Sequence, residues 1–172
     1  RNADNMDGII REIHLFCCEE ARRNGKEETD GMALVALGGY GRGELNPCSD
    51  IDLLFLYQRK LDEFSDFVLK EVLYIMWDLG LHVGHSCRSI IDSLKIARDD
   101  STVKTSMLES RHICGREGIS DQLMQAMSRE FLSKGARDFL KTKAGERDER
   151  HTRYGGSANY LEPHVKEGWG GL

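Results

Sequence analysis

Two short apolar runs, Ala33 to Leu37 and Ile51 to Tyr57, flank a segment that carries four glycines, and this arrangement restricts the available folds more than any other feature of the chain. Each run is too short for a buried helix and is punctuated by glycine or proline, so both read as buried strands joined by a loop or a short helix. The first run ends in Gly38-Gly39, and the second opens on Asp50-Ile51-Asp52. Side chains alternate along a strand, so Asp50 and Asp52 are expected on one face, roughly 7 Å apart by backbone rise.

The rest of the chain arranges itself around that pair. Arg1 to Arg23 reads as a helix, with Ile9, Ile13 and Phe16 at helical spacing, and Gly25 to Gly31 as a polar connector. Leu61 to Gly80 is the clearest helix: Phe64, Val68, Val72, Ile75 and Leu79 form one stripe, Asp62 and Glu63 suit its start, and Gly80 its stop. Leu81 to Arg88 reads as a strand. Helices are then expected at Ile90 to Arg98, Thr102 to Arg111 and Ile119 to Lys143, ahead of a glycine-rich, irregular tail. The expected class is α+β, a small mixed sheet with helices packed on it and a C-terminal helical extension. It divides into an N-terminal helical segment at 1–30, a core at 31–100 and the extension with its tail at 101–172.

Composition narrows the function. The 172 residues are 40% hydrophobic, enough for one ordinary core, and show no repeat or low-complexity tract. A net charge of −5 supplies no global field for nucleic acid, so no nucleic-acid partner is expected. Apolar runs such as Leu53 to Leu56 fall far short of the roughly 18 residues of a membrane span. Five cysteines, an odd number without a C-x-x-C pair, point to a reducing, cytoplasmic setting. A start at Arg1 without methionine and a stop within Gly168 to Leu172 suggest a piece of a longer protein.

Two carboxylates at the mouth of an apolar strand are costly without a cation, and Mg²⁺ suits them. It takes one or two carboxylates and fills its remaining positions with water and substrate phosphates. Gly38 and Gly39 allow backbone N–H groups to approach phosphate oxygens without a Cβ in the way, and Arg42 can add a bidentate charge. A lone D-x-D is ordinarily a solvated turn, and a glycine-rich turn only a turn. Their succession across two adjoining strands favours the functional reading. Other phosphate motifs fail: Gly38 and Gly43 have P-loop spacing but are followed by Glu44 in place of lysine, and Glu44 also occupies the third glycine position of a dinucleotide fingerprint.

Gly38-Gly39, the arginine-containing loop and Ser49-Asp50-Ile51-Asp52 resemble the signature of the polymerase-beta-type nucleotidyltransferases. More narrowly, GGYGRGELNPCSDIDLLFLY, WDLGLHVGHSCRS, ARDDSTVKTSMLESR and RYGGSANYLEPHVKEGWGGL resemble the N-terminal catalytic domain of the bacterial PII uridylyltransferase/uridylyl-removing enzymes. The resemblance implies that 31–100 is a nucleotidyltransferase core. It implies two-metal transfer of UMP from UTP to a tyrosine of the nitrogen-signalling protein PII, with Mg²⁺ or Mn²⁺. Asp50 and Asp52 match the metal-binding, catalytic aspartates, Gly38 and Gly39 the nucleotide-binding turn, and Ser49 a phosphate contact. The superfamily often supplies a third carboxylate from a later strand, but Leu81 to Arg88 has none; Asp92 and Glu109 are the nearest candidates, and the ligand stays unassigned. No His-Asp dipeptide occurs, so removal of UMP is not expected from this chain. The alternatives are transfer of AMP or UMP to another protein or small molecule, and a non-catalytic nucleotide-binding module.

Weaker candidates complete the reading. Arg88 and Lys166 could reach a triphosphate. His82 and His85, three apart on a strand, fall on opposite faces and read as structural. Cys48 reads as a loop cysteine, and the mixed charges of Arg147 to Arg153 as a solvated helix end.

Overall fold

Both apolar runs are strands: β1 (Met32–Ala36) and β2 (Ile51–Tyr57) pair antiparallel, with Met32 opposite Tyr57 and Ala36 opposite Leu53. The computed structural model describes residues 2–46, 49–132, 141 and 143–149. Before β1 runs helix α1 (Asn2–Arg23), and between β1 and β2 lies a single helical turn, α2 (Gly38–Gly41). Helix α3 (Glu63–Asp78) leads to β3 (Val83–Ser89), and then come α4 (Ile90–Asp99), α5 (Ser101–Leu108), β4 (Arg111–Gly115) and α6 (Glu117–Met127). A π-helical stretch, Ser128–Leu132, follows. The sheet order is β3-β2-β1-β4, with β2 and β3 parallel and the other neighbours antiparallel, so the chain is α+β with a mixed four-stranded sheet.

Strand β4 corrects the sequence reading. The helix expected at Thr102 to Arg111 stops at Leu108, and Arg111 begins the strand that covers the free edge of β1. The expected long helix from Ile119 to Lys143 gives α6, which ends at Met127. Two compact units result, Arg1–Ser128 and Arg129–Leu172, and the first holds the whole sheet. Stretches expected as N-terminal segment and C-terminal extension thus supply α1 and β4 to the unit that contains β1 and β2. In the second unit, the described residues 143–149 are helical and carry a Lys143–Glu146 ion pair at 2.7 Å.

The alternation of β1 and β2 sorts their side chains between two helical layers. Met32, Leu34 and Ala36 with Ile51, Leu53 and Phe55 form one face, which packs with Ile10, Ile13, Cys17 and Ala21 of α1 and Phe64, Val68, Val72 and Met76 of α3. Ala33, Val35, Leu54 and Leu56 are buried on the other face, where α6 packs on β1 and β2. Each such Leu or Phe contributes about 1.5–3 kcal/mol by leaving water. Of the stripe expected on α1 only Ile13 is buried; Ile9 and Phe16 are exposed, and Asp7, Ile10 and Cys17 take the inner face instead. On α3, Leu79 is exposed just past the last helical turn, and Leu73 and Met76 complete the buried face.

One carboxylate ties the start of α3 to the connector before β1. Asp62 accepts from Ser65 N–H at 2.7 Å through one oxygen, and through the other from the Thr29 N–H and hydroxyl and the Asp30 N–H, each at 3.0 Å. Burial alone would raise its pKa, but these hydrogen bonds outweigh it and hold the carboxyl well below the usual range. The cap orients α3 and fixes where β1 enters the sheet.

Candidate active site

Antiparallel pairing of β1 with β2 carries the end of one strand back beside the beginning of the other. The ladder extends one bond past β1, where Leu37 N–H donates to the Asp52 carbonyl at 3.0 Å. Gly38 and Gly39 are the next residues, so the glycine turn and the Asp50/Asp52 pair occupy the same end of the sheet. Both aspartates are exposed there. By strand alternation Asp52 shares a face with Leu54 and Leu56, opposite the face that packs on α1.

Gly84 makes room for the Asp52 side chain. In the parallel β2–β3 register Asp52 is paired with Gly84, and a Cβ on Gly84 would collide with Oδ1 of Asp52 and lie 3.6 Å from its Cγ. The sequence reading did not single this residue out, although a glycine inside a strand marks close approach by another group.

The glycines of the turn differ in what the fold asks of them. Gly38 has φ +54°, a conformation that other residues rarely adopt. At Gly41 a Cβ would be driven into the Glu109 carbonyl oxygen and come within 3.0 Å of the Ala36 oxygen. Gly39 is different: a Cβ there would meet only ordinary contacts, Glu44 O at 3.5 Å and Arg42 Nη2 at 3.7 Å. The surroundings of residue 39 do not themselves demand glycine.

The remaining sequence candidates are placed variously. Arg42 is held by two carboxylates, Nε to Glu44 at 2.8 Å and Nη1 to Glu109 at 2.6 Å. The hydrogen bond it donates to Glu44, reinforced by Glu109, raises its pKa, so it stays a cation. Ser49, exposed, donates its N–H to Asn46 O at 3.1 Å and lines a cleft of about 330 Å³ with Asn5, Leu45 and His82. Arg88 shares the Asp52 face but pairs with Leu56, four residues on from Gly84, which is about 13 Å of strand rise. Lys166 and Cys48 lie outside the described residues.

Neither third-carboxylate candidate joins the pair. Asp92 accepts from the Ser89 hydroxyl at 2.6 Å in the cap of α4, at the far end of β3 from Gly84, and Glu109 is paired with Arg42. Among the described residues no group of three His, Cys, Asp or Glu side chains is gathered as a metal cluster. Two carboxylates and backbone groups are a hard-oxygen donor set that fits Mg²⁺, which takes its other ligands from water and phosphate. His85 packs edge-on against Trp77 at 5.7 Å between ring centroids.

The turn has a buried support that the sequence did not reveal. Tyr40 donates its hydroxyl to Asp7 at 2.7 Å, and Arg111 donates to both oxygens of Asp7 and to the carbonyls of Tyr40 and Gly41, each at 3.2 Å. Asp7 is 4% exposed and Tyr40 2%. Burial pushes the Asp7 carboxyl up, but the hydrogen bonds from Arg111 and Tyr40, with the charges of Arg111 and Arg11, hold it below the usual range. No motif in the sequence points to it, because Asp7 and Arg111 are 104 residues apart.

Comparison with known proteins meets this geometry at the same segment. The sequence model of the glutamate-ammonia ligase adenylyltransferase family matches residues 7–71, which hold the turn and both aspartates, and that of the GlnD PII-uridylyltransferase family matches residues 138–172. Both are families named for nucleotidyl transfer. Among curated proteins, the bifunctional uridylyltransferase/uridylyl-removing enzyme of Phenylobacterium zucineum is 43% identical over 160 residues, covering 93% of this chain and 16% of the relative. The enzyme of that name from Rhodospirillum rubrum is 41% identical over 172 residues (99% and 18%), and that from Ruegeria pomeroyi 45% over 168 (96% and 18%). The chain belongs to the family of bifunctional uridylyltransferase/uridylyl-removing enzymes, and it spans less than a fifth of the length of these relatives. A chain solved in a crystal structure of a toxin-antitoxin with AMP-PNP aligns over 74% of this chain and 94% of its own at 15% identity and a TM-score of 0.42, too loose to carry an argument.

Proposed function

We propose that this chain binds UTP with Mg²⁺ or Mn²⁺ and transfers UMP to a tyrosine hydroxyl of the PII signalling protein. The observation that carries this reading is the hydrogen bond from Leu37 N–H to the Asp52 carbonyl, which holds Gly38 and Gly39 at the end of the sheet where Asp50 and Asp52 stand. Asp50 and Asp52 would hold the metal, which supplies charge neutralisation at the phosphates when bound. Gly38 and Gly39 admit the triphosphate close to backbone N–H groups, Gly39 by having no side chain where the fold would accept one. Ser49, Arg42, Arg88 and Lys166 are further candidates for phosphate contact; Arg42 would first have to exchange Glu44 or Glu109 for it.

The reaction is an in-line displacement. The tyrosine oxygen bonds to the α-phosphorus, the bond to the β-phosphate oxygen breaks, pyrophosphate leaves, and the hydroxyl proton passes to solvent. The protein contributes positioning and electrostatics. A cytoplasmic setting accompanies this reading: Cys17, Cys18, Cys87 and Cys114 are free thiols, and among the described residues no helix is long and apolar enough to cross a membrane.

One observation favours a second reading, transfer of AMP from ATP. The adenylyltransferase model is the one that matches the glycine turn and the aspartates. Incubating the chain with PII and labelled UTP or ATP, each with Mg²⁺, separates the two. Label on PII from UTP alone supports the first reading, label from ATP alone the second, and none from either with intact folded protein rejects both.

A further inference from the structure

We infer that Asp7, Tyr40 and Arg111 are positioning residues for the nucleotide, holding the Gly38–Gly41 turn from its buried side so that its backbone meets the triphosphate in one fixed geometry. The inference rests on the nucleotide-site reading above and adds to it three residues that touch neither phosphate nor metal.

The network joins three elements that are remote in sequence. Asp7 comes from α1, Tyr40 from the turn itself, and Arg111 from the first position of β4. Arg111 presents a rigid planar fork: one side grips the Asp7 carboxylate, while Nε and Nη2 reach the carbonyls of Gly41 and Tyr40. Its guanidinium carbon also lies 5.5 Å from the centre of the Tyr40 ring. The Tyr40 hydroxyl closes the loop on Asp7, and Arg11 Nη2 stands 3.5 Å from the same carboxylate.

Such an arrangement is a poor way to gain stability alone. A desolvated carboxylate is costly, and apolar side chains of similar volume commonly stabilise a core as well or better. What apolar packing cannot supply is direction. Two carbonyls of a four-residue turn are fixed by hydrogen bonds from one guanidinium, while the backbone of Glu109 crowds Gly41. The turn is therefore held at its Tyr40-Gly41 end, leaving Gly38 and Gly39 toward Asp52. Misplacement of such a group by about 1 Å is enough to cost on the order of a hundredfold in rate.

The test uses the full chain and reads the ratio of UTP to UMP affinity, with Mg²⁺, by calorimetry at a temperature where circular dichroism shows every variant folded. Tyr40→Phe removes one hydrogen bond and keeps the ring; Asp7→Asn and Arg111→Lys remove the charge and the fork. Val68→Ala, in the α3 core away from the turn, serves as a control of general destabilisation. The expected result is a UTP affinity lowered roughly three- to tenfold in Tyr40→Phe and further in Asp7→Asn and Arg111→Lys, with UMP affinity less affected. The UTP/UMP ratio then falls in the network variants and stays at the wild-type value in Val68→Ala. If Asp7→Asn or Arg111→Lys does not fold, Tyr40→Phe decides alone. A wild-type ratio in Tyr40→Phe overturns the inference while the site reading stands. Failure of the wild-type chain to bind UTP, or unchanged binding by Asp52→Asn, overturns the site reading and this inference with it.

Discussion

The carboxylates on the two sides of the glycine turn are handled in opposite ways. Asp7, from the α1 side, is buried and satisfied within the chain by Tyr40, Arg111 and Arg11. Asp50 and Asp52 are exposed at the mouth of β2, with Gly84 clearing space beside Asp52. A buried carboxylate has to be satisfied from within the fold, whereas one at a strand mouth also meets solvent, from which the proposed metal and phosphate would approach. The contrast predicts that changes on the exposed side remove activity at little cost in stability, and changes on the buried side cost stability first.

The largest effect is expected at the exposed pair. Asp52→Asn or Asp50→Asn should lower nucleotidyl transfer by at least about 10³-fold, since electrostatic stabilisation dominates phosphoryl transfer. The melting temperature should hardly move. Near wild-type transfer in both variants would break the comparison, because these carboxylates would then serve no reaction.

Gly84→Ala sharpens it without touching a carboxylate. The added methyl must displace the Asp52 side chain, so transfer should fall on the order of tenfold to a hundredfold while the melting temperature stays within a degree or two. Unchanged kinetics would mean that the Asp52 carboxylate works from another rotamer.

On the buried side, Asp7→Ala should cost about 3 kcal/mol in a denaturant titration, the usual penalty for leaving one partner of a buried pair alone. Acid gives a smaller, related effect. The Asp7 carboxyl is held below its unfolded value, so its contribution to stability is complete above the ordinary carboxylate range and is lost as pH falls through the lower folded value. Wild-type stability should therefore fall more steeply than that of Asp7→Ala below about pH 4. Parallel curves would remove Asp7 from the account of the fold.

How far the sequence reveals the molecule depends on how local each signal is. Strands β1, β2 and β3 and helix α3 are legible from signals within each segment, whereas the parallel direction of β3 is not. Strand β4 is not: Arg111-His112-Ile113-Cys114-Gly115 is short, half polar and set among helical patterns, and its pairing with β1 makes it a strand. The inner face of α1 was hidden for a similar reason. An aspartate reads as solvent-facing until its partner is known, and the guanidinium that neutralises Asp7 is 104 residues away. At the site, the aspartates and the turn could be read from spacing, whereas the space at Gly84 and the contrast between Gly39 and its neighbours depend on contacts that only the folded chain defines.

The central claim is that Asp52 and the Gly38-Gly39 turn form one site for a metal-bound nucleotide, and the most direct measurement is the affinity of the full chain for UTP with and without Mg²⁺, in wild type and in Asp52→Asn. If they do form one site, Mg²⁺ should tighten UTP binding by at least about tenfold in the wild-type chain, the equivalent of roughly 1.4 kcal/mol, and leave Asp52→Asn nearly unaffected. UTP binding indifferent to Mg²⁺, or the same Mg²⁺ response in both chains, would contradict it.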